Sequence, residues 1–376
     1  MQEFRLSAPS RLGRERWPDP VDRPGATRSR PSGVALLAFS TLAVAIGGLV
    51  LLALGTPGEP VAAGYEAAPA TARAEPITPV PAPMAADPAR LRLGERLFRD
   101  ARLSRDGTRS CASCHDLERN GADGQAHASG ADGQPLDFNT PTIFNMALSF
   151  RLNWRGNFRT LEEQAEAVLL DPRLMGTGWE TLLDRLREDP SYREAFARAY
   201  GGGPERWQVL DALAAFQRSL LTLDARFDRW LRGEGGALTP AEEQGYRLFK
   251  DYGCVACHQG VNVGGNLFQR FGIFAPRPMR TEADLGRFVL TGEERDRGVF
   301  RVPSLRNVAA TAPYFHDGSE PSLAGAVRTM TESQLGRRMT EEEVGLVVAF
   351  LRTLTGEYRG RPVAAAAAGA AGGLPP

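Results

Sequence analysis

Cysteine and histidine are scarce in this chain, at four of each in 376 residues. Any site built from them must draw on nearly all of them. Neither sign of charge is in surplus: 45 basic residues face 45 acidic ones, so no net field argues for nucleic acid or another polyanion as partner. Alternating strand residues nowhere make a convincing run, which weighs against a β-fold. Charge is missing altogether from Gly33 to Gly55. What remains, 42% apolar and 24% charged, is a globular composition, and the length suffices for two modest domains.

The four cysteines are spent in two copies of one arrangement, Cys111-Ala112-Ser113-Cys114-His115 and Cys254-Val255-Ala256-Cys257-His258. Two thiols around two residues, followed at once by histidine, suit covalent haem attachment: both thiols add to the haem vinyls and the imidazole reaches the iron. A pair of disulfides or a four-cysteine zinc site would not explain why histidine follows each second cysteine. A thioredoxin-like pair would want a βαβ context, and none is apparent. Two c-type haems are therefore expected, held by Cys111, Cys114, Cys254 and Cys257, with His115 and His258 as iron ligands.

The uncharged run at 33–55 carries Val34, Leu36, Leu37, Phe39, Leu42, Val44, Ile46 and an apolar stretch from Leu49 to Leu54, enough for a bilayer span. Before it, residues 1–32 hold Arg5, Arg11, Arg14, Arg16, Arg23, Arg28 and Arg30 against four acids. The positive-inside rule then puts the N-terminus in the cytoplasm and the rest of the chain outside. The expectation is a single-pass anchor in a bacterial inner membrane with periplasmic haem domains. The alternative is a cleaved signal ending at Ala72-Arg73-Ala74, which would leave a soluble periplasmic protein. Residues 56–88, rich in proline and alanine, read as a semi-extended tether unable to pack a core, and 361–376 as a disordered tail.

Between these ends the chain repeats itself. Gly94-Glu95-Arg96-Leu97-Phe98-Arg99-Asp100 precedes the first motif, and Gly245-Tyr246-Arg247-Leu248-Phe249-Lys250-Asp251 the second, each a short amphipathic helix bringing an aromatic to the haem edge. Thr140-Pro141-Thr142-Ile143-Phe144-Asn145 is echoed by Val302-Pro303-Ser304-Leu305-Arg306-Asn307. Trp154 and His316 each lie nine residues beyond these asparagines, and glycine follows two positions later as Gly156 and Gly318. Helical spacing of apolar residues runs over Leu161–Leu170, Trp179–Arg187, Tyr192–Tyr200, Trp207–Leu221 and Glu341–Leu354, with N-cap signals at Thr239 and Thr340. The expected fold is all-α: two cytochrome c-like domains in tandem, 89–235 and 236–360, joined near Gly233–Leu238 and preceded by a transmembrane helix.

Outside the motifs only His127 and His316 remain as imidazoles, and Met279, Met330 and Met339 as thioethers near the second haem. With Leu97-Phe98, Leu103-Ser104, Asn139-Thr140-Pro141-Thr142, Leu161-Glu162-Glu163-Gln164-Ala165, the Val302–Asn307 run and Ala312-Pro313-Tyr314-Phe315-His316-Asp317-Gly318, the chain resembles the bacterial di-haem cytochrome c peroxidase family, which includes the MauG-like enzymes. The resemblance covers about Leu91 to Gly356. It implies a C-terminal haem with His and Met ligands that accepts electrons, and an N-terminal haem that reduces peroxide.

On that resemblance Met330 is the distal iron ligand of the second haem; the MauG-like branch has tyrosine there. Trp154 is the bridge between haems, and Asn139, Thr311 and Pro313 form a calcium site. Gln164 is retained near the peroxide pocket. Two family residues are not: the distal glutamate position holds Leu174, and the displaceable histidine position holds Ala131, with His127 four residues earlier on a Gly-rich loop. His316 is read as structural, bonded to a propionate or to backbone.

The implied activity is reduction of hydrogen peroxide to water with electrons from a small c-type cytochrome or cupredoxin. The replaced residues keep open a di-haem electron-transfer or redox-sensing protein, and a MauG-like oxidase. Whether two copies associate stays open.

Overall fold

The computed structural model describes residues 73–365. The basic segment 1–32, the apolar run 33–55, the first part of the linker and the tail from 366 lie outside the described residues. Among those described, no helix is long and apolar enough to cross a membrane.

Local sequence sets the main helices. Asp87 caps α1 (Pro88–Arg99) by accepting from the N–H of Ala89, and Pro88 fills the first turn, where a missing N–H costs nothing. Capping boxes pair Thr160 with Glu163 at the start of α2 (Leu161–Leu170). Next come α3 (Trp179–Glu188), α4 (Pro190–Tyr200), α5 (Arg206–Ser219) and α6 (Arg226–Leu231). Thr239 with Glu242 opens α7 (Pro240–Asp251) through another capping box. A single turn, α8 (Phe288–Thr291), precedes α9 (Leu323–Leu335), and Thr340 with Glu343 boxes the start of α10 (Glu341–Arg352).

The described residues belong to one compact unit with two large hydrophobic cores and a small third cluster around Met146, Leu152 and Leu161. In the first, Leu93, Leu97 and Phe98 of α1 meet Val209, Ala212, Leu213 and Phe216 of α5. In the second, Tyr246 and Phe249 of α7 meet Val347, Phe350 and Leu351 of α10. The repeated glycines explain how closely these pairs cross. A methyl group on Gly94 would run into the carbonyl of Ala212, and one on Gly245 into that of Leu346.

The duplication extends to the backbone. Asn145 and Asn307 both adopt the left-handed conformation, at φ 61° and 60°, which asparagine tolerates better than most residues. Their side-chain amides both donate to the hydroxyl of Thr222, at 2.7 and 3.1 Å. Seven residues on from each asparagine, Leu152 bridges to Phe158 and Tyr314 to Glu320. One threonine thus ties the two halves together.

Three departures from expectation are long-range effects. Residues 73–80 are no free tether: Ile77 and Val80 are 1% and 5% exposed, and Ile77 sits in the second core. Prolines keep this strap out of helix, so its backbone is free for other elements. Arg306 donates to the carbonyl of Thr78, Gly260 to that of Pro76, and Val80 N–H donates to Asp228.

Near the expected junction at Gly233–Leu238, Phe227 and Trp230 of α6 already pack in the second core. At the other end, Val363 is 6% exposed in the first core, beyond the hairpin β3 (Glu357–Tyr358) and β4 (Arg361–Pro362). The expected disorder from 361 therefore does not describe 361–363. Finally, the fold is not wholly helical: β1 (Phe268–Arg270) pairs antiparallel with β2 (Val299–Arg301), Phe268 opposite Arg301.

Candidate active site

Each Cys-x-x-Cys-His motif forms one 3₁₀ turn at the mouth of a cavity, Cys111–Ser113 in the first lobe and Cys254–Ala256 in the second. The N–H of each histidine closes the turn onto the carbonyl of the first cysteine, both at 3.0 Å. One ring nitrogen of each is then anchored: His115 Nδ1 lies 2.9 Å from the carbonyl of Gly121, and His258 Nδ1 3.3 Å from that of Val263. Donation from Nδ1 leaves Nε2 unprotonated for a metal, the usual arrangement of a ligating imidazole. Burial favours that neutral form, pushing His115 down and His258 down to about 4.

The cysteines line different cavities, Cys111 and Cys114 one, Cys254 and Cys257 the other, so they do not make one four-thiolate site. Burial raises the Cys111 thiol to about 12 and the Cys254 thiol to about 11.

The cavity over His258 has a volume of about 240 Å³ and is mainly apolar, with Phe249, Phe271, Val327 and Leu351 in its walls. Met330, from α9, lines it as well. Asn139, Thr311 and Pro313, the residues expected to hold calcium, are also among the residues that line it. Asn139 is held on three sides: its N–H donates to the His316 carbonyl, its side-chain amide to the Gln125 carbonyl, and its own carbonyl accepts from Trp154.

The cavity over His115 is larger, about 380 Å³, and more polar, lined by Arg109, Gln164, Asp171, Arg173, Leu174 and Gln217 among others. Leu174 lies where a proton-carrying acid was expected. The carboxylates in this lining are Asp137, which forms a two-point pair with Arg173 at 2.9 and 3.1 Å, and Asp171. His127 is not among the lining residues; its Nδ1 sits 2.8 Å from the Leu136 carbonyl. Ala131 is likewise outside the lining, and its N–H donates to the carbonyl of Arg173.

Trp154 lines both cavities. Its indole N–H donates to the Asn139 carbonyl at 2.8 Å, and its own carbonyl accepts from Arg301 N–H at 2.9 Å. His316 stands edge-on to it, ring centres 6.5 Å apart, and stacks on Phe300 at 4.4 Å. The structural role expected for His316 holds a different partner: its Nε2 lies 2.8 Å from Asp284 Oδ1, not on backbone.

Sequence reasoning passed over two arginines. Arg301 Nη1 and Arg155 Nε are buried with no hydrogen-bond partner, and each residue lines a cavity. A buried cationic nitrogen left unpaired is costly; Arg155 already faces Glu282 at 3.7 Å, whereas Arg301 has no acid beside it and a haem propionate would supply one. With the anchored imidazoles and paired thiols, these orphans fit two haems. The one available signal was charge interrupting the apolar run Gly298-Val299-Phe300-Arg301-Val302.

A family model for di-haem cytochrome c peroxidase matches residues 88–236, and one for cytochrome c matches 242–355. The cytochrome c551 peroxidase of Nitrosomonas europaea is 40% identical over 284 residues, 75% of this chain and 85% of that protein. The chain belongs to the di-haem cytochrome c peroxidase family. It binds two haem c groups covalently. The cytochrome c peroxidase Ccp of Escherichia coli (strain K12) is 41% identical over 289 residues, which span 76% of this chain and 62% of the length of that relative. Among solved structures, a MauG-like protein associated with microbial copper homeostasis superposes with a TM-score of 0.64 at 32% identity, over 75% of this chain and 94% of that one.

Proposed function

We propose that this protein reduces hydrogen peroxide to water, taking electrons from a small c-type cytochrome or cupredoxin at the His258 side and delivering them to the His115 side. The overall change consumes two electrons and two protons for each peroxide and yields two waters. Bound haem supplies the one-electron storage and the peroxide cleavage.

The chain's own residues divide the remaining work. His115 and His258 would ligate the two irons, and Met330 would be a further ligand of the second, reserving that haem for electron transfer. Trp154 carries charge between the cavities. Gln164 orients peroxide, since an amide offers a donor and an acceptor but no proton at neutral pH. Asn139, Thr311 and Pro313 offer hard oxygens to Ca²⁺ beside Trp154. Residues 33–55 anchor the chain in the inner membrane, with the haem lobes in the periplasm.

The observation that carries the proposal is the position of Trp154, which belongs to both cavity walls at once. Its test is peroxide-dependent oxidation of a reduced small cytochrome by the purified holoprotein. Turnover well above that of free haem is expected, and turnover no better than free haem overturns it.

One observation favours a second reading. Leu174 lines the His115 cavity where the proton-carrying acid would stand, which suits a di-haem electron-transfer or redox-sensing protein. That protein would show two reversible couples and little reaction with peroxide.

A further inference from the structure

Arg301 is 2% exposed and lies on β2. Its backbone N–H donates to the Trp154 carbonyl at 2.9 Å, and its Nε donates to the Asn153 carbonyl at 3.1 Å. These bonds hold the loop that carries Trp154. Its Nη1, in contrast, is buried without any partner, and Arg301 joins no ion pair among the described residues. No carboxylate lines the cavity it faces. The other charged or titratable groups there are Arg270 from β1, Tyr314, and His316 with Asp284 behind it, besides His258, Cys254 and Cys257.

A guanidinium cannot shed its proton in practice, so removing it from water demands an anion. The protein supplies none at that point.

We propose that Arg301 is the counter-ion of a propionate of the C-terminal haem and, through the same side chain and backbone, the positioning residue that fixes Trp154 against that haem. It is not a catalytic residue, because it acts through the haem edge and through Trp154. The inference rests on reading the His258 cavity as a haem site. An arginine in this place does two things at once. It keeps the propionate ionised while offsetting its charge, and it ties the height of the bridging indole to the seat of the electron-accepting group.

The test is a spectroelectrochemical titration of the full-length holoprotein and of Arg301→Gln and Arg301→Lys, from about pH 5 to about pH 8, with haem content measured on each sample. In wild type the C-terminal haem should keep a nearly constant potential over that range, because its propionate stays ionised. In Arg301→Gln the unneutralised propionate favours the oxidised haem. The ratio of reduced to oxidised haem should fall about tenfold near pH 8, equivalent to ~59 mV for one electron, and recover as the acid protonates toward pH 5. Lysine should restore most of both properties, and the N-terminal haem should not move.

A fully haem-loaded Arg301→Gln with wild-type potential and pH response would overturn the assignment, as would a lysine variant that shifts as far as glutamine. Should Arg301→Gln fail to mature, the wild-type titration decides: a slope approaching one proton per electron contradicts the proposal, and a flat profile supports it. Absence of haem from the His258 cavity would be a failure of the site reading itself, separately visible in the haem content.

Discussion

Trp154 and His316 occupy the same position in the two halves of the duplicated sequence, and in the folded chain their rings meet edge to face, 6.5 Å between centres. The two copies of the repeat thus face each other at the junction of the cavities. One copy has kept an indole that reaches both; the other has an imidazole locked to Asp284 and Phe300. The two halves differ at this pair as well as in their cavity linings.

Replacing Trp154 with leucine should slow electron transfer between the haems about tenfold or more, a barrier change of at least ~1.4 kcal/mol. Haem attachment should be unaffected, since Cys111, Cys114, Cys254 and Cys257 are untouched. Rapid-mixing spectroscopy of the half-reduced protein reads this directly. An unchanged rate would remove Trp154 from the route.

Leu174→Glu should give the His115 cavity a proton carrier. General acid–base catalysis contributes about 10²–10⁴-fold, so peroxide turnover should rise within that range. The gain should grow with pH until the new carboxyl is fully ionised, because the base form takes the first proton from peroxide. If steady-state turnover matches wild type at every pH, proton transfer at this position does not limit turnover.

Much of this was legible in the chain, for physical reasons that can be named. The haem motifs are local, and helix formation in α1, α2, α7 and α10 rests on caps and apolar spacing within a dozen residues. The repeat places Gly94 and Gly245 at equivalent points, but that both mark close helix crossings shows only in the packing against Ala212 and Leu346. What stayed hidden depends on distant partners. Proline-rich residues 73–80 look like a linker until Asp228, Gly260 and Arg306 are seen to bind them. Val363 looks like tail until Phe144 and Tyr358 are seen to draw the C-terminal hairpin back to the first lobe, their rings 4.9 Å apart. Arg301 differs locally from the many surface arginines only in interrupting the apolar run Val299-Phe300-Arg301-Val302, and its missing partner shows only in the fold.

The strap has its own consequence. Arg306 and Asp228 form an ion pair at 2.6 Å with side chains 1% and 0% exposed, and both also bind residues of the strap. Breaking a buried pair by neutralising one partner typically costs about 3–5 kcal/mol. Arg306→Met and Asp228→Asn should each lower the thermal midpoint accordingly, and speed hydrogen exchange at Val80. The double variant Arg306→Met/Asp228→Leu should recover part of the loss. Single variants as stable as wild type would contradict this role.

Asp284 provides a pH-dependent check. Burial raises its carboxyl, but hydrogen bonds from His316, Thr281 and Arg280 outweigh that and bring it to about 2. A carboxyl held lower in the folded protein than in the unfolded one stabilises the fold above about pH 4, and this contribution is lost as pH falls toward 2. The stability gap between wild type and Asp284→Asn should therefore be full above about pH 4 and shrink below it in acid denaturation. A gap that is constant with pH would show that the bond to His316 carries no ionic part.

The central claim is that the two irons are unlike, one closed by Met330 and ready to collect electrons, the other left open over His115. Electron paramagnetic resonance of the oxidised and half-reduced holoprotein, repeated on Met330→Ala, measures this most directly. The account predicts a low-spin His/Met signal that disappears first on reduction and is lost in Met330→Ala, with a lowered potential for that haem, beside a second haem that binds small exogenous ligands once the first is reduced. Two identical six-coordinate signals, indifferent to Met330→Ala and to added ligand, would contradict it.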